Sequence, residues 1–195
     1  MKIIKLNEAN SRAQFEVSQI FVDGFYDWLK FFSKDREKLS RAFAHIFNAD
    51  VFYIAVEDGA VMGFAACTNS QHPSIMLNKK EFRKHFGLIM GTIAYRILHR
   101  ELETKPYPFT LEPNMGAIEF VATSANHRDK GVATALINYL HENTPFSSYV
   151  LEVADSNLKA INLYKKLGYQ VFMKVSEKHA KQSGFENYLY MKYSQ

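Results

Sequence analysis

Residues 117–168 carry the pattern that most constrains this chain. AIEFVAT (117–123) reads as a strand, and the loop SANHRDKG feeds a helix in which Val132, Leu136, Ile137 and Leu140 recur at helical spacing. SSYVLEVA (147–154) is again a strand, and NLKAINLYKKLG (157–168) is again a helix, with Gly168 as its C-terminal stop. A chain that alternates these two periods builds a layered α/β fold, in which each helix buries its apolar stripe on a sheet.

The flanks extend this pattern. MKIIKL is an opening strand, followed by a helical stripe of Val17, Ile20, Phe21, Phe25 and Trp28. A second stripe, Leu39, Phe43, Ile46 and Phe47, has Ser33 or Asp35 as its N-cap. Two apolar runs flank Asp58-Gly59, a hairpin signal because that turn needs positive φ angles. YQVFMKV and FENYLYMKY close the chain as strands.

Residues 69–116 differ in character. NSQHPS is a loop, and residues 79–102 read as one long helix with Phe82, Phe86, Ile89, Ile93 and Ile97 on one side. Gly87 and Gly91, four apart, mark close packing of that helix on the sheet or on the acceptor site. TKPYPFTLEPNMG carries three prolines and cannot be regular for long. The expectation is a single domain over 1–195 with an insertion at about 69–116.

Composition removes several function classes. A lone cysteine, Cys67, leaves no internal disulfide, suits a reducing compartment, and sits in an apolar run as a buried small side chain. No stretch approaches the ~18 apolar residues of a membrane span, and the N-terminal apolar run is too short for a signal peptide. A cytoplasmic protein without membrane contact is expected. The net charge of +4 favours anionic ligands mildly. Basic residues alternate with acids, as in KDREK, so no nucleic-acid partner is indicated. The seven histidines show no metal-ligand spacing, so no metal is expected.

Gly131 stands where the loop enters a helix. Free amides at a helix start, with the helix dipole, make an anion site, and glycine lets a ligand approach the backbone. Arg128 can add a charge-assisted bond to phosphate. On this segment alone, a tight turn with a solvated arginine explains the residues equally well. The loop is neither a Walker loop nor GxGxxG.

The following segment decides between them. Asn157 sits at a helix start, Tyr164 lies two turns on along the same side, and Gly168-Tyr169 opens the next strand. Together these blocks resemble the GNAT superfamily of acetyl-CoA-dependent N-acetyltransferases. The family's [RQ]-x-x-G-x-[GA] loop reads here Arg128-Asp129-Lys130-Gly131-Val132-Ala133, and Asn157, Ala160, Tyr164 and Gly168-Tyr169 match its second block. The resemblance is close over 118–172, and element order extends it over most of the chain. Residues 69–116 depart from it, since the family usually has a short hairpin there.

The resemblance implies a GNAT-like mixed central sheet with splayed parallel strands and helices on both faces, here with an inserted long helix. It implies acetyl-CoA as co-substrate, held by the backbone of Val121, Ala122 and Thr123 and by the loop from Arg128 to Ala133. Asn157 would hold the cofactor's amide arm or a water. A primary amine, on a small molecule or a peptide, would attack the thioester directly through a tetrahedral intermediate, with a backbone N–H near Val121 stabilising the oxyanion. Tyr164 would protonate the leaving thiolate. Glu119, the carboxylate in GAIEFVAT and read as sharing a strand face with Val121, would be the general base. Tyr26 and Phe31 would line the acceptor pocket, with the insertion as its lid. A non-catalytic acetyl-CoA sensor is the competing reading, and a homodimer through FENYLYMKY is a further expectation.

Overall fold

The computed structural model describes residues 1–69 and 71–194. Ser70, inside the expected loop NSQHPS, lies outside the described residues. The chain runs β1 (Lys2–Lys5), α1 (Ser11–Leu29), α2 (Arg36–Phe43), β2 (Phe52–Glu57), β3 (Ala60–Thr68), α3 (Lys79–Phe86) and α4 (Leu88–Leu98). It continues through β4 (Met115–Thr123), α5 (Val132–Asn143), β5 (Ser148–Ala154), α6 (Leu158–Lys166), β6 (Gln170–Ser176), the short α7 (Ala180–Ser183) and β7 (Asn187–Ser194). The order of the main elements is the one the sequence pattern gives.

The strands form one seven-stranded sheet ordered β1-β2-β3-β4-β5-β7-β6. Every pairing is antiparallel except β4 with β5. The hairpin between β2 and β3 turns at Asp58 and Gly59, with φ of 51° and 78°, as the Asp-Gly signal requires. Asp35 rather than Ser33 caps α2, accepting from the Lys38 N–H at 3.0 Å. Gly168 ends α6 at φ 93°.

One face of the sheet packs on α1, α2 and the insertion, through Phe21, Phe43, Phe47, Phe52, Phe64 and Phe82 among others. The other packs on α5 and α6, through Leu136, Ile137, Leu140, Tyr149, Ile161 and Tyr164. Cys67 is buried there at 5% exposure, the small core side chain expected.

Four expectations change. The single long helix over 79–102 is two helices. Gly87 takes φ 81°, which a helix cannot continue through, and α4 folds back on α3. The contact is tight because Gly91 has no side chain: a Cβ there would lie 2.5 Å from the Arg83 Cα. Gly91 therefore packs helix on helix, not helix on the sheet, while Gly87 serves the turn between them. As a result Ile89 is 80% exposed, while Phe82 is buried. In α1 the apolar stripe breaks after Phe21, because Phe25 leaves helical geometry (φ −112°, ψ 15°), so Leu29 is buried where Trp28 was expected. The helix of the second stripe ends at Phe43. Ile46 and Phe47 are still buried, from a segment in which Phe47 bridges Ile75. Finally, FENYLYMKY does not offer a dimer edge, since β7 is hydrogen-bonded on both sides and β6 is the edge strand.

Candidate functional site

β4 and β5 pair only over Met115–Ala117 and Ser148–Val150, and beyond Ala117 no ladder joins them among the described residues. The two parallel strands thus open as a V. The cause lies in β4. Three steps of β4, from Glu119 to Ala122, face two steps of β3, from Ala66 to Phe64, so β4 carries one extra residue. Phe120 takes that position at φ 52°. For a non-glycine residue this costs about 1–2 kcal/mol. The Phe120 ring offsets it by packing 6.0 Å from Phe21, 6.5 Å from Phe25 and 6.4 Å from Phe52, centroid to centroid. Gly63 lets the bulge sit close to β3, since a Cβ there would stand 2.6 Å from the Ala122 carbonyl oxygen and 2.9 Å from Val132.

The bulge also corrects the facing of β4. Ile118 and Val121 pack toward α5, whereas Phe120 and Ala122 pack toward α1. Glu119 lies opposite Ala66, on the α1 and insertion side, so it does not share a face with Val121.

At one end of the V lies the loop before α5. Asp129 and Gly131 both have positive φ, 64° and 76°, and α5 starts at Val132 with no side-chain cap. The N–H groups from Asp129 to Thr134 have no protein acceptor among the described residues, the first backbone bond of the turn being Ala135 N–H to the Gly131 carbonyl at 2.9 Å. Convergent free amides at a helix N-terminus form an anion nest. A Cβ on Gly131 would meet no atom within 4 Å, so the glycine is required by its φ and by ligand approach, not by crowding. Arg128 and Lys130 are exposed beside it. The carboxylate of Asp129 would repel an anion, but Lys159 reaches across from α6 and pairs with it at 2.5 Å. His127 is held by Ser124 at 2.7 Å. This arrangement suits a diphosphate, and the open strand edges beside Val121, Ala122 and Thr123 suit an extended amide-bearing arm.

Asn157 caps α6, its side-chain oxygen accepting from the Ala160 N–H at 3.2 Å. Tyr164 lies two turns further along the same helix and packs into the core on the α5 and α6 side of the sheet. Tyr164 is 7% exposed, packs 6.0 Å from Tyr169, and its hydroxyl has no partner among the described residues. Burial pushes its phenol up to about 12. Such a group stays protonated at neutral pH, so it is a donor throughout.

On the acceptor side, Glu119 is half-buried and receives a hydrogen bond on each oxygen, from Ser74 and from Tyr107. Burial raises its carboxyl above the usual range, the two donors pull it down, and the charge of Glu152 raises it again. Glu152 sits two residues beyond Val150 as Glu119 sits two beyond Ala117, so the carboxylates occupy matching places on the two arms of the V. Lys105 bonds both Glu152 oxygens at 3.1 Å, and the Tyr190 hydroxyl donates to Glu152 at 2.5 Å. Ser74, Tyr107, Lys105 and Glu152 were not legible in the sequence as site residues, because no local motif marks a side chain that acts through a tertiary contact.

Tyr26 and Phe31 lie differently. The Tyr26 hydroxyl donates to the Lys34 carbonyl at 2.9 Å, with the Arg36 guanidinium 3.6 Å over its ring. Phe31 is 64% exposed, edge-on to Phe32 at 5.3 Å. Phe21 and Phe25 are the α1 aromatics that reach the bulge itself. Among the described residues no cluster of three or more His, Cys, Asp or Glu is placed to hold a metal, and no helix is long and apolar enough to cross a membrane.

These features coincide with a known family. The model of the acetyltransferase (GNAT) family matches residues 16–169. The chain belongs to that family, and it is an acyltransferase by class. Among solved structures it is similar to an N-acetyltransferase from Staphylococcus aureus Mu50, with a TM-score of 0.64 and 17% identity over 99% of this chain and 100% of the other. It is also similar to a ribosomal-protein-alanine N-acetyltransferase from Brucella melitensis, with a TM-score of 0.61 and 15% identity over 100% of both chains. An aminoglycoside 6'-acetyltransferase type Ii gives a TM-score of 0.59 at 13% identity, over 100% of this chain and 97% of that one. Comparison with curated protein sequences finds no match.

Proposed function

We propose that the protein transfers the acetyl group of acetyl-CoA to a primary amine, on a small molecule or a peptide, by direct attack. The observation that carries this reading is the V between β4 and β5, with an unbonded amide nest at one end and Glu119 on its acceptor side. The nest and Arg128 would take the diphosphate, and the free edge at Val121 to Thr123 the pantetheine arm. Glu119 would accept the proton of the attacking ammonium, directly or through water. A backbone N–H at the bulge would face the developing oxyanion.

Tyr164 would donate to the departing sulfur. With its phenol near 12, full proton transfer to a thiolate of ordinary basicity (about 8.5) is uphill, so hydrogen-bond donation is the role its surroundings favour. Direct attack, not an acyl-enzyme, is favoured because Cys67 is buried and its thiol is pushed up to about 12 by burial. Glu119 gives the acceptor side a carboxylate with no cation paired to it among the described residues, which suits an acceptor that arrives as an ammonium. The similar structures bear names with different acceptors, a ribosomal-protein alanine and an aminoglycoside. The acceptor preference is accordingly assigned to the insertion, 69–116, which borders Glu119 and which the family pattern does not supply. The reading treats 1–195 as one catalytic domain working in the cytoplasm.

The test is thiol release from acetyl-CoA by the purified protein over a panel of alkyl diamines, amino sugars and peptides with free N-termini. Amine-dependent release is expected. A folded protein that binds acetyl-CoA but releases no thiol with any class of amine would contradict the enzyme reading and leave an acetyl-CoA sensor.

A further inference from the structure

Glu119 is gripped by two donors from the insertion, and neither donor is free to follow it. Ser74 precedes Glu119 by 45 residues and Tyr107 by 12, so they come from opposite ends of the inserted block. Ser74 is 4% exposed, and its segment is pinned to residues 46–48. The Asn48 N–H donates to the Ser74 carbonyl at 2.9 Å, the Asn48 side chain to the Pro73 carbonyl at 2.9 Å, and the Met76 N–H to the Ile46 carbonyl at 2.8 Å. Tyr107 lies on an irregular strap fixed on either side. Lys105 bonds Glu152 and stands 4.1 Å over the Tyr188 ring, and Phe109 packs edge-on against Phe172 and Tyr190 at 5.1 and 5.4 Å. The strap therefore touches both arms of the V, β4 through Tyr107 and β5 through Lys105.

We propose that Ser74 and Tyr107 are positioning residues of the transfer reaction, holding the Glu119 carboxylate on the acceptor side of the V by one donor to each oxygen. The inference rests on the reading of Glu119 as the base. Two fixed donors remove the rotation of the carboxylate and leave it free lone pairs with which to accept a proton. The titratable groups that face Glu119 are Tyr107 on the strap and Glu152 on β5, with the charge of Glu152 itself taken by Lys105. Burial and Glu152 favour the protonated acid, and the donors favour the carboxylate. A general base must be ionised at working pH and still basic, so the insertion sets that balance.

The test follows the Glu119 carboxyl by carbon NMR of protein carrying [5-13C]glutamate, its resonance being the one missing from Glu119→Gln. Tyr107→Phe and Ser74→Ala should each shift its titration midpoint to higher pH, the double variant further, and Ser74→Thr, which keeps the hydroxyl, should restore it. Thermal melts identify the folded variants, and either single variant carries the test if the other fails to fold. Unmoved midpoints in folded variants overturn the inference. The base reading fails separately, if Glu119→Gln leaves the pH–rate profile of thiol release unchanged.

Discussion

The two sides of the V are built differently. The cofactor side is made of backbone: free amides from Asp129 to Thr134, a left-handed glycine and an unpaired strand edge. The acceptor side is made of side chains brought from afar, Ser74 and Tyr107 onto Glu119 and Lys105 onto Glu152. A backbone site needs its residues in fixed local order, so it leaves a motif. A side-chain site needs only that the fold bring donors together, so it leaves none.

Substitutions can break or sharpen this contrast. The largest effect is expected at Glu119, where the two kinds of site meet. Glu119→Gln should lower kcat by roughly 10²–10⁴-fold and remove the acidic limb of its pH profile, with acetyl-CoA affinity retained. Equal loss of acetyl-CoA binding would show that the acceptor and cofactor sides are not separable. Tyr164→Phe should follow, with a fall in kcat of roughly 10–10³-fold, again at constant cofactor affinity; full activity would remove Tyr164 from the reaction. Gly63→Ala tests the bulge that opens the V. The added methyl would strike the Ala122 carbonyl and Val132, and overpacking of this kind costs about 1–3 kcal/mol, read as a lower midpoint in urea. An unchanged midpoint would mean that β3 and β4 yield easily there.

The smallest effect is on stability against pH. Burial raises the Glu119 carboxyl in the folded state, so folding takes up a proton at mildly acid pH. Its contribution is fully present below the unfolded carboxyl value of 4.5 and is lost as pH rises through the folded one. Relative to Glu119→Gln, the native protein should gain stability between pH 7 and pH 4.5. Paired thermal melts check this, and the opposite trend would mean that the donors outweigh burial.

Much of the fold was legible because its signals are local. Asp58-Gly59 dictates its turn, Asn157 caps its helix and Gly168 ends it, each through the φ or the hydrogen bond that only a few residue types supply. The helix break at Gly87 was missed because helical periodicity tolerates a glycine. It is the fold of α4 onto α3, with Gly91 at the contact, that selects the kink. The bulge at Phe120 was missed because nothing in EFVAT marks a positive φ. The aromatic cluster from α1 and β2 holds it. That one extra residue moved Glu119 off the face of Val121 and onto the face where Ser74 and Tyr107 reach it.

The central claim is that the nest before α5 and the V beside it form one acyl-CoA site. Calorimetric titration of acetyl-CoA into the native protein and into Gly131→Trp tests it most directly, with ATP as the control for a bare phosphate site. Gly131 has open space around it, so the substituted protein should fold at a cost of about 1–2 kcal/mol for its positive φ. The account predicts saturable one-to-one binding of acetyl-CoA to the native protein, much weaker binding of ATP, and none to a folded Gly131→Trp. Undiminished binding to that variant, or none to the native protein, would contradict it.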